Sequence, residues 1–275
     1  MFYEPRYNDH GLPFSPFKAC VVPRPIGWIT TVSHDGIINL APFSISNQLA
    51  YDPPFVFFSG SGLPEEDGAA PARKHSVVNA ENTGEFVWNM ATYDLREPVN
   101  ISSAHVGAEV DEMELAGLTK VPSKFVKPPR VGESPVNMEC KYHCTLTLPA
   151  RSAKSVHHVV VGEVIGIHIA DWALTNGLVD WRKIKPLARL GYLDYTFVDH
   201  VFTMPPPRGE SGRGKIGEPD SGSVTLQLTM TLLRYHPLLA SRHCRNPRRG
   251  RDCFGHNIEP ALSRFGSTQA DVGNL

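Results

Sequence analysis

No apolar run in this sequence approaches the ~18 residues that a membrane-spanning helix needs, so no membrane anchor is expected. Paired cysteines are lacking too: Cys20, Cys140, Cys144, Cys244 and Cys253 are five, an odd number with no C-x-x-C spacing among them. That count favours free thiols in a reducing compartment. The first ten residues alternate aromatic and charged side chains where a signal peptide would carry an apolar core, and the expected location is the cytoplasm. Charge of one sign is not in excess, with 27 Lys/Arg against 28 Asp/Glu, so no global field gathers nucleic acid or an anionic membrane. The fingerprints G-x-x-x-x-G-K-[ST], H-E-x-x-H and G-x-S-x-G are absent, which leaves P-loop, zincin and hydrolase chemistry unsupported. His143-Cys144 and His157-His158 are the nearest approach to a metal cluster. Neighbours on a strand face opposite ways, so neither pair can chelate one ion, and no metal is expected.

What is present begins with size: 275 residues at 41% hydrophobic content can bury a proper core. Residues 1–204 read as one packed domain and residues 205–275 as a Pro/Gly/Ser-rich linker with a disordered basic tail. The tail region from 206 on holds ten Lys/Arg and six Asp/Glu, and only Val224–Leu232 alternates in a strand-like way.

Within the first part, short apolar runs at Ala19–Val22, Ile26–Val32, Ile37–Ala41 and Phe55–Ser59 read as strands. So do Glu85–Met90, Met138–Leu148 and Val159–Ile169, where Gly162 and Gly166 suggest bulges. Asp35-Gly36 is a hairpin turn signal. Asp94–Ser103 and Val110–Ala116 read as helices, the second with Met113 and Leu115 as apolar contacts. The proline-punctuated stretch 121–136 should run extended over the surface. Close-set short strands suggest a barrel or sandwich.

Two places invite a ligand. Pro42 interrupts Asn39-Leu-Ala-Pro-Phe-Ser-Ile-Ser-Asn47, freeing backbone donors and polar side chains near it; an edge strand facing water would read the same way. Arg73-Lys74-His75-Ser76 opens a helix that Gly84 ends, with His75 or Ser76 as its cap. Basic side chains at a helix start oppose its dipole, so a bound phosphate would explain them, as would a merely solvated pair. The intervening loop, Gly60–Ala72, is long enough for a flap.

The succession Arg24-Pro-Ile-Gly-Trp-Ile-Thr-Thr31, Asn39 to Asn47, Tyr51-Asp-Pro-Pro54, Arg73 to Ser76, Asn79, Thr83-Gly-Glu-Phe-Val87 and Asn89 resembles the flavin reductase-like, FMN-binding split-barrel family. The likeness continues through Glu114-Leu-Ala-Gly-Leu118, Pro128 to Pro135, Met138-Glu-Cys140, Val161-Gly-Glu-Val164 and Leu187-Ala-Arg-Leu-Gly191. The resemblance implies a mainly β fold, a six-stranded antiparallel split barrel with flanking helices, working as a homodimer with FMN as cofactor. It places Thr30 and Thr31 beside the isoalloxazine ring, and Ala41, Pro42, Phe43, Ser44 and Asn47 along ring and ribityl chain. Arg73, Lys74, His75 and Ser76 would hold the phosphate, although the family usually reads Lys-Asp-Thr where this chain has Lys74-His75-Ser76. It implies hydride transfer from NAD(P)H to FMN and on to free flavin, a partner monooxygenase or a small organic acceptor, with no catalytic residue in the strict sense. A non-enzymatic FMN electron carrier fits the same residues.

Overall fold

The Asp35-Gly36 signal is a real turn: Gly36 takes φ 85°, its N–H donates to the Ser33 carbonyl, and Ser33 N–H donates to Ile37. The computed structural model describes residues 1–62, 73–150 and 156–204. Most of the Gly60–Ala72 loop, the 151–155 loop, the Val224–Leu232 pattern and the basic tail lie outside those residues.

In chain order the elements are helix α1 (Phe17–Cys20), strand β1 (Arg24–Pro25), β2 (Gly27–Val32), β3 (Ile38–Phe43), β4 (Ser46–Tyr51) and β5 (Pro54–Ser61). Helix α2 (His75–Thr83) and β6 (Glu85–Met90) follow, then α3 (Arg96–Ile101), α4 (Glu112–Leu115), β7 (Val136–Leu148) and β8 (His157–Ile169). Strands β9 (Leu187–Arg189) and β10 (Tyr195–Phe197) join β1 in a small separate sheet.

Seven strands form one antiparallel sheet in the order β3-β2-β6-β7-β8-β5-β4. Its two edges, β3 and β4, are consecutive in the chain and joined through Ser44 and Ile45 alone. A flat sheet would hold those edges roughly 29 Å apart at about 4.8 Å per strand spacing. Two residues extend only about 7 Å, so the sheet must curl until its edges meet. The fold is the split barrel with flanking helices, with one strand more than the six that the resemblance implies. The strand that the sequence did not announce is β4, which follows Pro42.

Curvature is built in at Gly162 and Gly166, where the β7–β8 register shifts as bulges. A Cβ at Gly162 would run into the Phe86 ring. Strand β2 is buried on both faces. Ile29 points to the barrel core with Phe43, Phe58, Phe86 and Val160, whereas Trp28 meets Leu40, Val99, Met113 and Leu187 under the helices.

Several local expectations need correction. Ala19–Val22 is not a strand: Phe17–Cys20 is a helical turn, and the chain after it is held by Arg24, whose guanidinium donates to the carbonyls of Lys18, Val21 and Leu190. The second helix shrinks to Glu112–Leu115, capped by Asp111, with Leu115 51% exposed. The 121–136 stretch does not simply cross the surface. Val131 is fully buried, and the buried Glu139 carboxylate accepts from the Lys124 and Phe125 N–H groups.

Gly84 ends α2 as expected, in the left-handed region at φ 72° with its N–H donating to Ala80. Nothing lies within 4 Å of a Cβ built there, so Gly84→Ala should cost backbone energy alone, about 1 kcal/mol. Urea midpoints compare the two; a loss above about 3 kcal/mol would mean a packing clash that this structure does not contain.

Candidate functional site

Helix α2 starts against β2 and β3, and two hydrogen bonds among four side chains tie it to them. Asn39 Nδ2 donates to Ser76 Oγ at 2.9 Å, and Asn79 Nδ2 donates to Thr31 Oγ1 at 3.2 Å. The result is a cleft of about 230 Å³ walled by Asn39, Ala41, Pro42 and Phe43 on one side and Arg73, Lys74, His75 and Ser76 on the other. The two stretches singled out in the sequence therefore face one another. Pro42 sits within β3, opposite Trp28 in register. It is tolerated because β3 is an edge strand, and the chain leaves the sheet two residues later.

The mouth of α2 is uncapped. Lys74 is the N-cap residue, and neither His75 nor Ser76 supplies a side-chain cap, since the Ser76 hydroxyl is turned to Asn39. Among the described residues no partner serves the first-turn N–H groups of His75 and Ser76, and these point where an anion is favoured. Lys74 Nζ lies 3.1 Å from His105 Nε2. Burial lowers the Lys74 pKa, a shift that an anion beside it would oppose. Arg73 is partly engaged, paired with Glu81 of the same helix.

Glu112 closes the other end of this cleft. Its Oε2 accepts from Leu40 N–H at 2.9 Å, so it satisfies a donor on the open edge of β3. Burial pushes its carboxyl pKa up, the Leu40 N–H holds it back, and the neighbouring Asp111 carboxylate adds to the rise.

Past Phe43 the cleft opens into a larger trough that Ser44 also lines, together with Ile45, Gly60 and Lys74. Three expected residues are not in either space. Thr30 and Thr31 are 0% exposed, their hydroxyls accepting from Asn89 and Asn79, and neither lines the cleft or the trough. Asn47 lies on exposed β4 and accepts from Gln48 N–H. Conversely, Ser102, Ser103, His105 and Glu112 line the cleft without having been singled out. Ser102, Ser103 and His105 showed in the sequence only as a polar Ser-Ser-Ala-His run just after a helix, and Glu112 showed no signal.

Among relatives, an uncharacterised protein of Aquifex aeolicus is 40% identical over 172 residues, 62% of this chain and 82% of that protein. The uncharacterised protein BH2278 of Halalkalibacterium halodurans is 33% identical over 68% of this chain and 87% of its own. Among solved structures, nitrilotriacetate monooxygenase component B from Bacillus cereus superposes with a TM-score of 0.66 at 25% identity, covering 74% of this chain and 98% of that one. Flavoredoxin of Desulfovibrio vulgaris shares the fold, with a TM-score of 0.55 at 18% identity over 67% of this chain and 91% of that one. The family model described as flavin reductase like domain matches residues 19–187. The split barrel, the cleft between its proline-bearing edge strand and an uncapped helix, and this match together make the chain a member of the flavin reductase-like family.

Proposed function

We propose that this protein binds FMN in the cleft between β3 and α2 and works as an NAD(P)H-dependent FMN oxidoreductase. The observation that carries the reading is the placement of an uncapped, lysine-bearing helix start across from Ala41–Phe43. A phosphate fits the first; a flat ring and its ribityl chain fit the second and the trough beyond it. Gly60 supports the fit, because a Cβ there would press on the Phe43 ring at 3.0 Å and on Lys74 Cγ at 3.2 Å. Only glycine lets both side chains keep these positions.

In this reading the His75 and Ser76 N–H groups and the Lys74 ammonium hold the phosphate, with His105 as a further neighbour. Arg73, shared with Glu81, adds charge at longer range. Ala41, Pro42, Phe43 and Ser44 set the plane of the ring. FMN held there would supply the hydride-accepting and electron-passing chemistry, so the residues need supply only position and field. The acceptor is free flavin, a partner monooxygenase or a small organic molecule. Cys140, the buried thiol, has its pKa pushed up by burial and takes no part.

The protein acts as a homodimer in this reading. Leu49, Leu146 and Leu148 are exposed on β4 and β7, and Ile45 just ahead of β4. Asn47, Phe57, Val161 and Cys144 form one register row across β4, β5, β8 and β7. An apolar sheet face of this kind calls for cover, and a second copy laid on it would bring Asn47 to the neighbouring site.

Absorbance of the purified protein tests the reading: flavin near one per subunit is expected, and a preparation that FMN cannot turn yellow would overturn it. With NAD(P)H and excess FMN, many turnovers are expected of a reductase. A single slow reduction of bound flavin would instead make the protein an electron carrier.

A further inference from the structure

A second hollow, about 400 Å³, lies between α3 and the small sheet that holds β9 and β10. It has no residue in common with the cleft between β3 and α2, and it shares only Val99 and Tyr195 with the trough. Its flat walls follow from strand pairing. Leu187 stands opposite Phe197 and Arg189 opposite Tyr195, so Leu187, Tyr195 and Phe197 rise on one face of the sheet. Tyr93, in the turn before α3, packs its ring on Phe197 with centroids 4.3 Å apart. Val99 and Leu187, 2% and 6% exposed, complete an apolar lining.

The polar groups come from α3. The Arg96 guanidinium lies 4.4 Å over the Tyr93 ring, Nη1 donates to the Tyr93 carbonyl at 3.0 Å, and Nε is 3.7 Å from a Glu97 oxygen. Its Nη2 and the Asn100 side-chain amide have no partner among the described residues. Stacking holds the guanidinium in one plane and leaves a donor edge for a planar acceptor. Glu97 is a weak competitor for it: its side chain is 74% exposed, and a solvent-exposed ion pair contributes only ~0–1 kcal/mol. Apolar walls with a few convergent polar groups are the composition of a small-molecule site.

We propose that this hollow is a separate effector site for a planar aromatic carboxylate, its ring against Leu187 and Phe197 and its carboxylate on Arg96 and Asn100. The effector role follows from α3, which carries the pocket residues and runs on into Ser102 and Ser103 in the wall of the cleft. Ser102 is held from both sides, its Oγ donating to the Val99 carbonyl at 3.2 Å and accepting from Trp28 Nε1 at 2.8 Å. An occupant against Val99 and Asn100 therefore bears on that wall through the helix. The coupling rests on the FMN reading above; the pocket does not.

The probes are 2-naphthoate and 2-naphthamide, the same ring with and without the charge. Equilibrium dialysis of the full chain should give one saturable naphthoate site per subunit, with naphthamide about tenfold weaker, as loss of one charge-assisted contact implies. Arg96→Gln should weaken naphthoate about tenfold and leave naphthamide within about twofold of the parent. Glu97→Gln, which removes the competitor, should tighten naphthoate up to about fivefold. Equal binding of the two probes, or naphthoate binding that Arg96→Gln leaves unchanged, overturns the site. The coupling is read on the FMN-loaded protein: saturating naphthoate should change the FMN dissociation constant about fivefold, and FMN should change that of naphthoate by the same factor. Unchanged constants overturn the effector role. If the chain takes up no FMN, the flavin reading fails on its own, and the naphthoate titration still decides the pocket.

Discussion

Replacing Lys74 with alanine should weaken FMN binding about ten- to a hundred-fold, the loss of one charge-assisted contact worth roughly 1.5–3 kcal/mol. Among the described residues Lys74 is the one basic side chain common to the cleft and the trough. Its ammonium already bears the cost of partial burial, seen in its lowered pKa, with the His105 imidazole as its near neighbour. Removing it leaves the phosphate helix N–H groups, the His105 imidazole and a guanidinium that Glu81 already occupies. Riboflavin, which has no phosphate, is the control and should bind parent and variant alike. Equal losses for FMN and riboflavin would place Lys74 against the ring or the fold, and FMN binding as tight as the parent's would remove it from the site.

The second large effect should come from Asn89→Ala, a loss of at least about 3 kcal/mol in folding stability by urea denaturation. Asn89 is 0% exposed and uses its whole amide. Nδ2 donates to the Trp28 carbonyl and Thr30 Oγ1, both at 2.8 Å. Oδ1 accepts from Val131 N–H at 3.1 Å and Asn137 Nδ2 at 2.9 Å. Truncation leaves four groups in a dry interior without that partner, and each unsatisfied group costs about 1–3 kcal/mol. Asn89→Asp should be no rescue, since it keeps the acceptors but gives up both donors and buries a charge. A cost under about 1 kcal/mol for alanine would mean that water enters the site and replaces the amide.

What could be read from the sequence was whatever the backbone dictates locally. Gly84 had to end a helix, Asp35-Gly36 had to turn, and Gly162 and Gly166 had to bend a long strand, because each residue type answers a demand on φ or on space. Order of motifs supplied the fold. Strand β4 was missed because its Ser-Asn-Gln start has no apolar alternation; only its pairing with β5 makes it a strand. Thr30 and Thr31 were singled out by the resemblance alone; β2 is covered on both faces, so their hydroxyls serve as interior hydrogen-bond acceptors, which no local pattern announces. His105 and Glu112 were invisible because they reach the cleft through tertiary packing, from a loop and a short helix far along the chain.

The β5–β8 ladder pairs Ser61 with His157 and Phe55 with Glu163, partners about a hundred positions apart. Both walls of the phosphate cleft, in contrast, are encoded before residue 84. During synthesis the ribosome thus releases the gripping residues long before the strand that closes the barrel behind them. On the reading proposed above, cofactor loading belongs to the finished polypeptide, and a nascent chain halted ahead of β8 would carry the whole phosphate sequence and retain none of the flavin.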